Sequence, residues 1–306
     1  MIHVFGHLSP DTDATGSAII WAWYQNEHTG QEATPYILGE LNTETRFVLN
    51  YFKATTPELL PTLAAGSEIV VIDTNNPQEL PANVAELTLV QLIDHHKLIG
   101  GIMTDLPAHI TIRPLSCTAT VMYDLMGLDI ATLPRHIAGL MLSCILSDTL
   151  AFRSPTTTPH DKDIAEKLAG VLEIDLMTYA NEMFAAKSDV TIFSDAGLIT
   201  LDSKKYEVGG KNFRVSVLET TTPETILARK DGIVAAIKEC VATENDVDDV
   251  LFFIVDIFRE EATVLTYSDL TKQIIQSSFG VTVLGDTEVL PGILSRKKQI
   301  LPALKL

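Results

Sequence analysis

Three short apolar segments stand out near the start of the chain, and each of them is followed directly by acids or histidines. Residues 2–6, 68–72 and 89–93 are rich in branched apolar side chains, a pattern that predicts buried β-strands. In open parallel α/β sheets the carboxyl ends of the strands meet at one edge, and ligands bind there. If the three strands are parallel neighbours, the polar residues that follow them converge on one edge of one sheet.

Helical patterns separate and follow these strands. Residues 14–23 predict a buried helix that starts right after Asp13, and residues 43–52 have the spacing of an amphipathic helix. Residues 134–146 are apolar nearly all round, which predicts a fully buried helix leading into Asp148. A carboxylate at that position needs a partner, because an unpaired buried charge is costly. Strands alternating with helices predict an α/β domain with a mainly parallel sheet flanked by helices.

Two further helices are predicted at 161–172 and 175–186, and after them the sequence pattern changes from helical to strand-like. A short polar break follows at 187–191, and the segments beyond it alternate like strands, with a helix predicted over 225–240. A length of 306 residues also favours two domains over one. We therefore predict an N-terminal domain over 1–187, a hinge linker over 188–192 and a smaller C-terminal α/β domain over 193–306.

The composition and net charge of the chain limit the classes of partner that it can bind. Forty acids against 22 Lys and Arg give a formal charge of −18, which repels polyanions and makes nucleic acid a poor partner. A small anion bound through metal ions stays compatible with this charge. No apolar run approaches the about 20 residues of a membrane span, and we recognise no signal peptide, so a cytoplasmic protein is expected. The three cysteines suit buried apolar positions better than disulfides or a zinc site.

Six side chains are candidate metal ligands because they follow the predicted strands or end the buried helix. They are His7, Asp11, Asp13, Asp73, His95 and Asp148. Four ionised carboxylates in one pocket would repel one another, and two divalent cations cancel that charge. Mixed imidazole and carboxylate ligands suit Mn²⁺, Co²⁺ or Zn²⁺ better than Mg²⁺. Two such ions about 3.5–4 Å apart can activate a shared water for attack on phosphorus.

Each candidate also has a plain structural reading. Asp11 alone could be a helix N-cap, His7 a turn residue and Asp73 an ordinary residue after a strand. The sequence Asp94-His95-His96 directly after a buried strand is harder to explain without chemistry. Taken together, the clusters favour a phosphoryl-hydrolysis site.

These clusters resemble the four motifs of the DHH phosphoesterase superfamily, along essentially the whole chain. The motifs are His7-x-x-x-Asp11-x-Asp13, the strand end at Asp73, Asp94-His95-His96 and Ser147-Asp148-Thr149. Residues 295–299, Ser-Arg-Lys-Lys-Gln, are similar to the signature of one branch, the manganese-dependent family II inorganic pyrophosphatases.

The resemblance implies roles for individual residues. One metal would be held by His7, Asp11 and Asp73, and a second by Asp13, Asp73, His95 and Asp148, with Asp73 bridging. His96 would contact substrate, while Lys204, Arg296 and Lys297 would bind the terminal phosphate, with Lys205 as an alternative to Lys204. We expect Asp94 to orient an imidazole rather than bind metal.

The resemblance also implies the reaction, which is hydrolysis of inorganic pyrophosphate to two phosphates by a hydroxide bridging two divalent metals. The expected cofactors are two Mn²⁺ per subunit, or Co²⁺ in their place, with Mg²⁺ accompanying the substrate. The active site would lie in the cleft between the domains and be complete only when they close. A homodimer formed through the N-terminal domain is expected.

Two other functions compete with this one. A nuclease or cyclic-dinucleotide phosphodiesterase of the same superfamily would keep the metal ligands and change the second domain, where this chain has only Gly209-Gly210 on a predicted hairpin turn. It also lacks the basic groove and stacking aromatics expected for single strands. A noncatalytic phosphate or metal sensor is the second alternative, and the complete ligand set argues against it. The chain has no room for a nucleotide-sensing insert, so regulation by adenine nucleotides is not expected.

Overall fold

The N-terminal half is built on a six-stranded sheet in which all neighbours are parallel. The structure, a computed structural model, describes residues 1–306. The strands are β1 (Ile2–Phe5), β2 (Ala33–Ile37), β3 (Glu58–Leu59), β4 (Glu68–Ile72), β5 (Thr88–Asp94) and β6 (His109–Ile112), in the order β3-β2-β1-β4-β5-β6. The three predicted site strands, β1, β4 and β5, are adjacent, and the predicted parallel sheet is confirmed. From β1 the strand order continues to β2 and β3 in one direction and to β4, β5 and β6 in the other, so the β1/β4 boundary is a topological switch point.

Six α-helices belong to this half. They are α1 (Thr12–Tyr24), α2 (Thr43–Phe52), α3 (Thr118–Met126), α4 (Arg135–Thr149), α5 (Pro159–Leu172) and α6 (Leu176–Lys187). Helix α4 is buried along almost its whole length, as its apolar sequence predicts, and its apolar residues face other helices rather than water. Helix α1 starts earlier than predicted, because the side chain of Asp11 caps it and places Asp13 inside its first turn.

Two glycines let three of these helices approach closely. A Cβ at Gly16 of α1 would overlap the Sγ atom of Cys144 of α4. A Cβ at Gly139 of α4 would overlap the ring of Phe52, the last residue of α2. Helix α4 is therefore in tight contact with both α1 and α2.

The C-terminal half has a mixed five-stranded sheet of its own. The strands β7 (Ser203–Val208), β8 (Lys211–Thr220), β9 (Asp249–Asp256), β10 (Glu261–Leu265) and β11 (Thr287–Pro291) lie in the order β11-β10-β9-β8-β7. Only β8 and β9 are parallel. The helices are α7 (Asp195–Leu201), α8 (Pro223–Leu227), α9 (Lys230–Thr243), α10 (Asp269–Phe279) and α11 (Leu301–Ala303). Strand β9 is buried at every position, which makes it the centre of the second core.

One predicted helix was wrong in extent. The sequence predicts a single helix over 225–240, whereas α8 ends at Leu227 and α9 begins at Lys230. Arg229 breaks the helix with backbone angles of φ −96° and ψ 6°. Its guanidinium bonds to the side chain of Asp195 and to the carbonyl oxygens of Val190 and Phe193. These bonds outweigh the helical pattern of the surrounding apolar residues.

The chain divides into two compact units, Met1–Met183 and Phe184–Leu306. The division falls inside α6, so residues 188–192 belong to the second unit, and their predicted role as a hinge stays a prediction. None of the helices combines the length and the apolar character that crossing a membrane requires.

Candidate metal centre

The carboxylate of Asp73 lies between two imidazoles at the carboxyl edge of the first sheet. Its Oδ2 atom is 3.5 Å from Nε2 of His7, which follows β1. Its Oδ1 atom is 3.3 Å from Nε2 of His95, which follows β5. One carboxylate thus presents a different oxygen to each histidine, which is the arrangement a bridging ligand needs.

The remaining candidate ligands complete a group around each imidazole. His7 Nε2 lies 3.6 Å from Asp11 Oδ2, and His95 Nε2 lies 3.4 Å from Asp148 Oδ2 near the end of α4. Asp11 is also the N-cap of α1, but it uses its other oxygen, Oδ1, to accept the backbone N–H of Ala14. Asp11 can therefore be both the N-cap of α1 and a metal ligand.

An unusual backbone conformation and the hydroxyl of Thr118 hold Asp73 in place. Its φ of 60° lies in the left-handed region, which aspartate tolerates better than most residues. Its N–H donates to the carbonyl oxygen of Ile93 at 2.9 Å, and Thr118 donates its hydroxyl to Oδ1 at 2.9 Å. Burial opposes its ionisation, yet the imidazoles of His7 and His95 hold the pKa of Asp73 well below its usual range.

Asp13 is fully buried beside the start of α3. Its Oδ2 accepts the N–H of Thr118 at 2.6 Å, and its Oδ1 accepts the hydroxyl of Ser17 at 2.8 Å. Burial and the nearby charge of Asp73 raise the pKa of Asp13 to about 6. The imidazole of His95 offsets this effect only in part, and a bound cation would supply further positive charge.

Cys117 joins this part of the centre. Ligand atoms of Asp13, Cys117 and Asp148 all lie within 4.8 Å of one another. Burial and the charge of Asp13 raise the pKa of the Cys117 thiol well above its usual range, which keeps the sulfur protonated. The sequence predicts only that Cys117 is buried, and its position beside two acids became visible in the fold.

The donor set fits divalent cations. The imidazole-to-carboxylate distances of 3.3–3.6 Å are longer than ordinary N–H···O hydrogen bonds, whose common length is about 2.9–3.0 Å. Two ligands that each lie about 2.0–2.2 Å from one ion are about 3.0–3.6 Å apart. Ligand atoms of His7, Asp11 and Asp73 form one compact group. Nitrogen and oxygen donors of this kind suit Mn²⁺, Co²⁺ or Zn²⁺.

Asp94 fixes the second histidine of the pair. Its Oδ1 accepts the backbone N–H groups of His95 and His96 at 2.7 and 3.0 Å and the ring Nδ1–H of His96 at 2.8 Å. Its Oδ2 accepts an amide hydrogen of Asn75 at 2.6 Å. Burial opposes ionisation, but the hydrogen bond from His96 lowers the pKa of Asp94 to about 2. Asp94 is thus a charged acceptor that binds the ring of His96 through Nδ1.

The ring of His95 is oriented from its far side. Its Nδ1 lies 3.1 Å from the carbonyl oxygen of Leu115, which accepts a hydrogen bond when Nδ1 carries the proton. In that tautomer the lone pair of Nε2 is on the side of Asp73 and Asp148, as a metal ligand requires.

The cations predicted to bind phosphate lie in the second unit. Arg296 Nη1 is 2.7 Å from Asp202 Oδ1 and donates to the carbonyl oxygen of Asp202 at 3.1 Å, just before Lys204 at the start of β7. Lys205 is bound to Glu244 and Asp246, each at 2.9 Å, and successive residues of a strand face opposite sides. Lys204 therefore lies on the face of β7 opposite to Lys205.

The Ser and Gln that flank the basic run shape its loop. Gln299 accepts the N–H groups of Leu294 and Ser295 through Oε1 at 2.8 and 2.9 Å, and donates to the carbonyl oxygen of Gly292 at 2.5 Å. Ser295 accepts the N–H of Lys298 at 3.2 Å. The basic run is a short π-helical turn, Arg296–Ile300, that Ser295 caps and Gln299 ties to the preceding segment.

The structure brings the six candidate ligands and His96 together in the first unit. In the second unit it places Arg296 in contact with Asp202, which precedes Lys204 by two residues. Sequence reasoning missed Thr118, which binds Asp73 and whose N–H binds Asp13, and Asn75, which binds Asp94. The segment Ser-Cys-Thr at the start of α3 was a usable signal for Thr118, because Ser and Thr commonly start helices. Asn75 had no comparable signal.

Comparison with known proteins agrees with both halves of the chain. The sequence profile of the DHH family, N-terminal domain, matches residues 1–145, and that of the DHHA2 domain matches residues 181–306. A Deinococcus radiodurans protein is 38% identical over 311 residues, covering 100% of this chain and 98% of its own. A Clostridium acetobutylicum protein is 36% identical over 307 residues, covering 99% and 97%. Both are named as probable manganese-dependent inorganic pyrophosphatases.

Among solved structures, a Methanococcus jannaschii protein assigned to family II of the inorganic pyrophosphatases superposes on this chain with a TM-score of 0.85. The two sequences are 34% identical, and the match covers 99% of this chain and 98% of the other. The likeness therefore extends over both units.

Proposed function

Because this chain belongs to the manganese-dependent inorganic pyrophosphatases of the DHH family, we propose that it hydrolyses inorganic pyrophosphate to two phosphates. The observation that carries the proposal is the position of Asp73, with one carboxylate oxygen facing His7 and the other facing His95. This arrangement supports two metal positions that share one ligand, and a two-metal site of that kind stabilises the attacking and leaving oxygens of an in-line displacement.

We assign the proposed metal ligands to two cations that share Asp73. His7, Asp11 and Asp73 would hold one cation, and Asp13, Asp73, His95 and Asp148 would hold the other. When bound, two divalent cations lower the pKa of a shared water and draw electron density from the phosphoryl group. Thr118 and the backbone of α3 hold the carboxylates of Asp73 and Asp13 at fixed positions, so little reorganisation is needed.

His96 and the cations of the second unit would act on the substrate. Asp94 accepts the Nδ1–H of His96, so Nε2 of the imidazole, when it carries a proton as well, is the atom that would donate to a phosphate oxygen. Lys204, Arg296 and Lys297 would bind the terminal phosphate, and their positive charge would stabilise the leaving group. The contact of Arg296 with Asp202, two residues before Lys204, supports a shared role for these cations.

The cofactors we propose are two Mn²⁺ per subunit, with Co²⁺ able to replace them and Mg²⁺ entering with the substrate. The mixed imidazole and carboxylate ligands support Mn²⁺ or Co²⁺ at the protein sites. Mg²⁺ prefers oxygen ligands and keeps its water, so it suits the phosphate oxygens of pyrophosphate.

We also propose a homodimer formed through the first unit. Strand β6 is an edge strand, and Ile110 on it is 58% exposed. The preceding loop exposes further large apolar side chains, namely Leu98, Ile99, Met103 and Leu106. An exposed apolar edge is a place where a second chain can pair. Sedimentation of the wild type should give the dimer mass and Ile110→Lys a smaller one, and a monomeric wild type would refute this proposal.

The reaction is tested by stripping the protein with chelator and adding back Mn²⁺, Co²⁺, Zn²⁺ or no metal, with Mg²⁺ in the assay. Phosphate release from pyrophosphate, restored by Mn²⁺ or Co²⁺, is the expected result. A short single-stranded oligonucleotide and a cyclic dinucleotide serve as competing substrates. Turnover of either one with pyrophosphate untouched would keep the metal centre and overturn the assigned substrate.

A further inference from the structure

A buried acid outside the predicted ligand set lies close to the metal centre. Glu44, in the first turn of α2, is 1% exposed. The sequence around it indicates only an amphipathic helix and assigns it no role. A carboxylate is costly to bury unless hydrogen bonds satisfy it, so its contacts require an explanation.

One oxygen of Glu44 accepts hydrogen bonds from two ligand-bearing segments. Thr12 donates its hydroxyl to Glu44 Oε1 at 2.6 Å, and Ser147 donates its hydroxyl to the same oxygen. Thr12 stands between Asp11 and Asp13, and Ser147 directly precedes Asp148. The single oxygen therefore connects the start of α1 with the end of α4, where ligands from distant parts of the chain must meet.

The surroundings of Glu44 favour a fixed carboxylate. It lies in the first turn of α2, and its partner Thr12 is the first residue of α1, so the positive ends of two helices offset its charge. The Oγ1 atoms of Thr12 and Thr45 are 3.1 Å apart, which extends the network along α2. The close packing at Gly16 and Gly139 holds α1, α2 and α4 together around this point.

Glu44 is not itself placed as a ligand. The compact groups of ligand atoms contain His7, Asp11, Asp13, Asp73, His95, His96, Cys117 and Asp148, and Glu44 belongs to none of them. Its connection to the centre runs through Thr12 and Ser147, each adjacent in sequence to a ligand.

We propose that Glu44 is a positioning residue that sets the distance between Asp13 and Asp148, and through it the affinity of the centre for its cation. This inference rests on the proposed function, because it takes these acids as metal ligands. Outer-shell partners of metal ligands typically change metal affinity or activity by about 10–100-fold when removed. Glu44 does not bond to either ligand directly. It bonds to Thr12 and Ser147, and the backbone connects these residues to Asp13 and Asp148.

The test is a titration of chelator-stripped protein with Mn²⁺, in which electron paramagnetic resonance measures the concentration of free Mn²⁺. Glu44→Ala removes the acceptor, Glu44→Gln keeps an oxygen that accepts both hydroxyls, and Ser147→Ala removes one contact while keeping the charge. The matched control is Ser143→Ala, one turn earlier on α4. The hydroxyl of Ser143 is also buried, but it bonds to the carbonyl oxygen of Gly139 and to Tyr179.

We expect Glu44→Ala to weaken Mn²⁺ binding about tenfold or more and Ser147→Ala to weaken it several-fold. Glu44→Gln should stay within about threefold of wild type, as should Ser143→Ala despite losing a buried hydrogen bond. Wild-type affinity in both Glu44→Ala and Ser147→Ala would overturn the inference. Equal losses in Glu44→Gln and Glu44→Ala would also overturn it, since charge rather than position would then be acting.

The design separates this inference from the proposed function. Ser147→Ala is a small change at a helix end, so it keeps the inference testable if Glu44→Ala fails to fold. A wild type that binds no Mn²⁺, or binds it without hydrolysing pyrophosphate, would overturn the proposed function. A wild type that does both, with variants of unaltered affinity, would overturn the positioning role alone.

Discussion

The ring Nδ1 of His96 lies 2.8 Å from Oδ1 of Asp94, a carboxylate with no exposure to water. The same oxygen also accepts the backbone N–H groups of both histidines that follow it. Asp94 therefore fixes the tautomer of His96 and also the backbone conformation of the two histidines.

We expect Asp94→Asn to lower kcat by about 10–100-fold, because an amide in place of the carboxylate no longer fixes the His96 tautomer. Steady-state kinetics at saturating Mn²⁺ measure the effect. Asp161→Asn is the control, since Asp161 is equally buried but bonds to Thr158 and the N–H of Ser116. Wild-type kcat in Asp94→Asn would show that Asp94 has no part in catalysis.

Asp73→Ala should remove the shared ligand and lower kcat/KM by about a hundredfold or more. Mn²⁺ stoichiometry by equilibrium dialysis should fall below that of the wild type. Asp124→Ala serves as the control, because Asp124 pairs with Arg113 and His160 away from the ligands. Near-normal turnover in Asp73→Ala would contradict the two-metal assignment.

Lys204 and Lys205 form a matched pair of neighbouring cations. We expect Lys204→Ala to raise KM for pyrophosphate about 10–100-fold, the range that loss of a charge-assisted hydrogen bond produces. Lys205→Ala should leave KM near wild type and lower the melting temperature, because Lys205 pairs with Glu244 and Asp246. The reverse pattern in steady-state kinetics would assign the substrate contact to Lys205.

Arg296→Ala should weaken substrate capture far more than metal binding. Its guanidinium is in the second unit, bound to Asp202, whereas the metal ligands are all in the first. KM should rise about 10–100-fold with Mn²⁺ affinity unchanged. If Mn²⁺ affinity falls and KM does not change, the division of roles between the two units is wrong.

The pKa of Glu244 predicts a pH dependence of folding stability that does not involve the metal centre. Despite partial burial, hydrogen bonds from Lys205 and Arg214 lower its pKa to about 2. A depressed carboxyl pKa stabilises the fold above the unfolded pKa, and this contribution is lost as pH falls through the folded pKa. After discounting for solvent, we expect Glu244→Gln to cost about 1 kcal/mol at pH 7.

That cost should shrink as pH falls from about 4.5 towards 2, where the wild-type carboxylate becomes protonated. Urea unfolding of wild type and variant at several pH values measures the difference. A difference that stays constant from pH 7 to pH 3 would mean that the charge of Glu244 does not contribute.

Much of the fold and of the centre followed from local sequence patterns. Branched apolar runs predicted β1, β4 and β5, and the all-apolar sequence of α4 predicted its burial. Parallel strands put their carboxyl ends together, which explains why residues far apart in sequence could be predicted to meet. The proposed roles of the phosphate-binding cations came only from resemblance.

Other features depended on tertiary contacts that no local pattern records. Glu44 looks like a surface acid in an amphipathic helix, and only the packing of α1 and α4 buries it. Arg229 interrupts a helical pattern because of partners far along the chain. The protonated thiol of Cys117 beside Asp13 likewise arises from packing.

The proposed ligands span almost half of the chain, from His7 to Asp148. They meet only after the strands and helices between them have formed, so the unfolded chain offers no comparable site. An ion bound by both ends therefore stabilises the native state by mass action, by about 2.7 kcal/mol when its free concentration is a hundred times its dissociation constant. The supply of divalent cation would then govern the stability of the first unit, as well as how fast it turns over substrate.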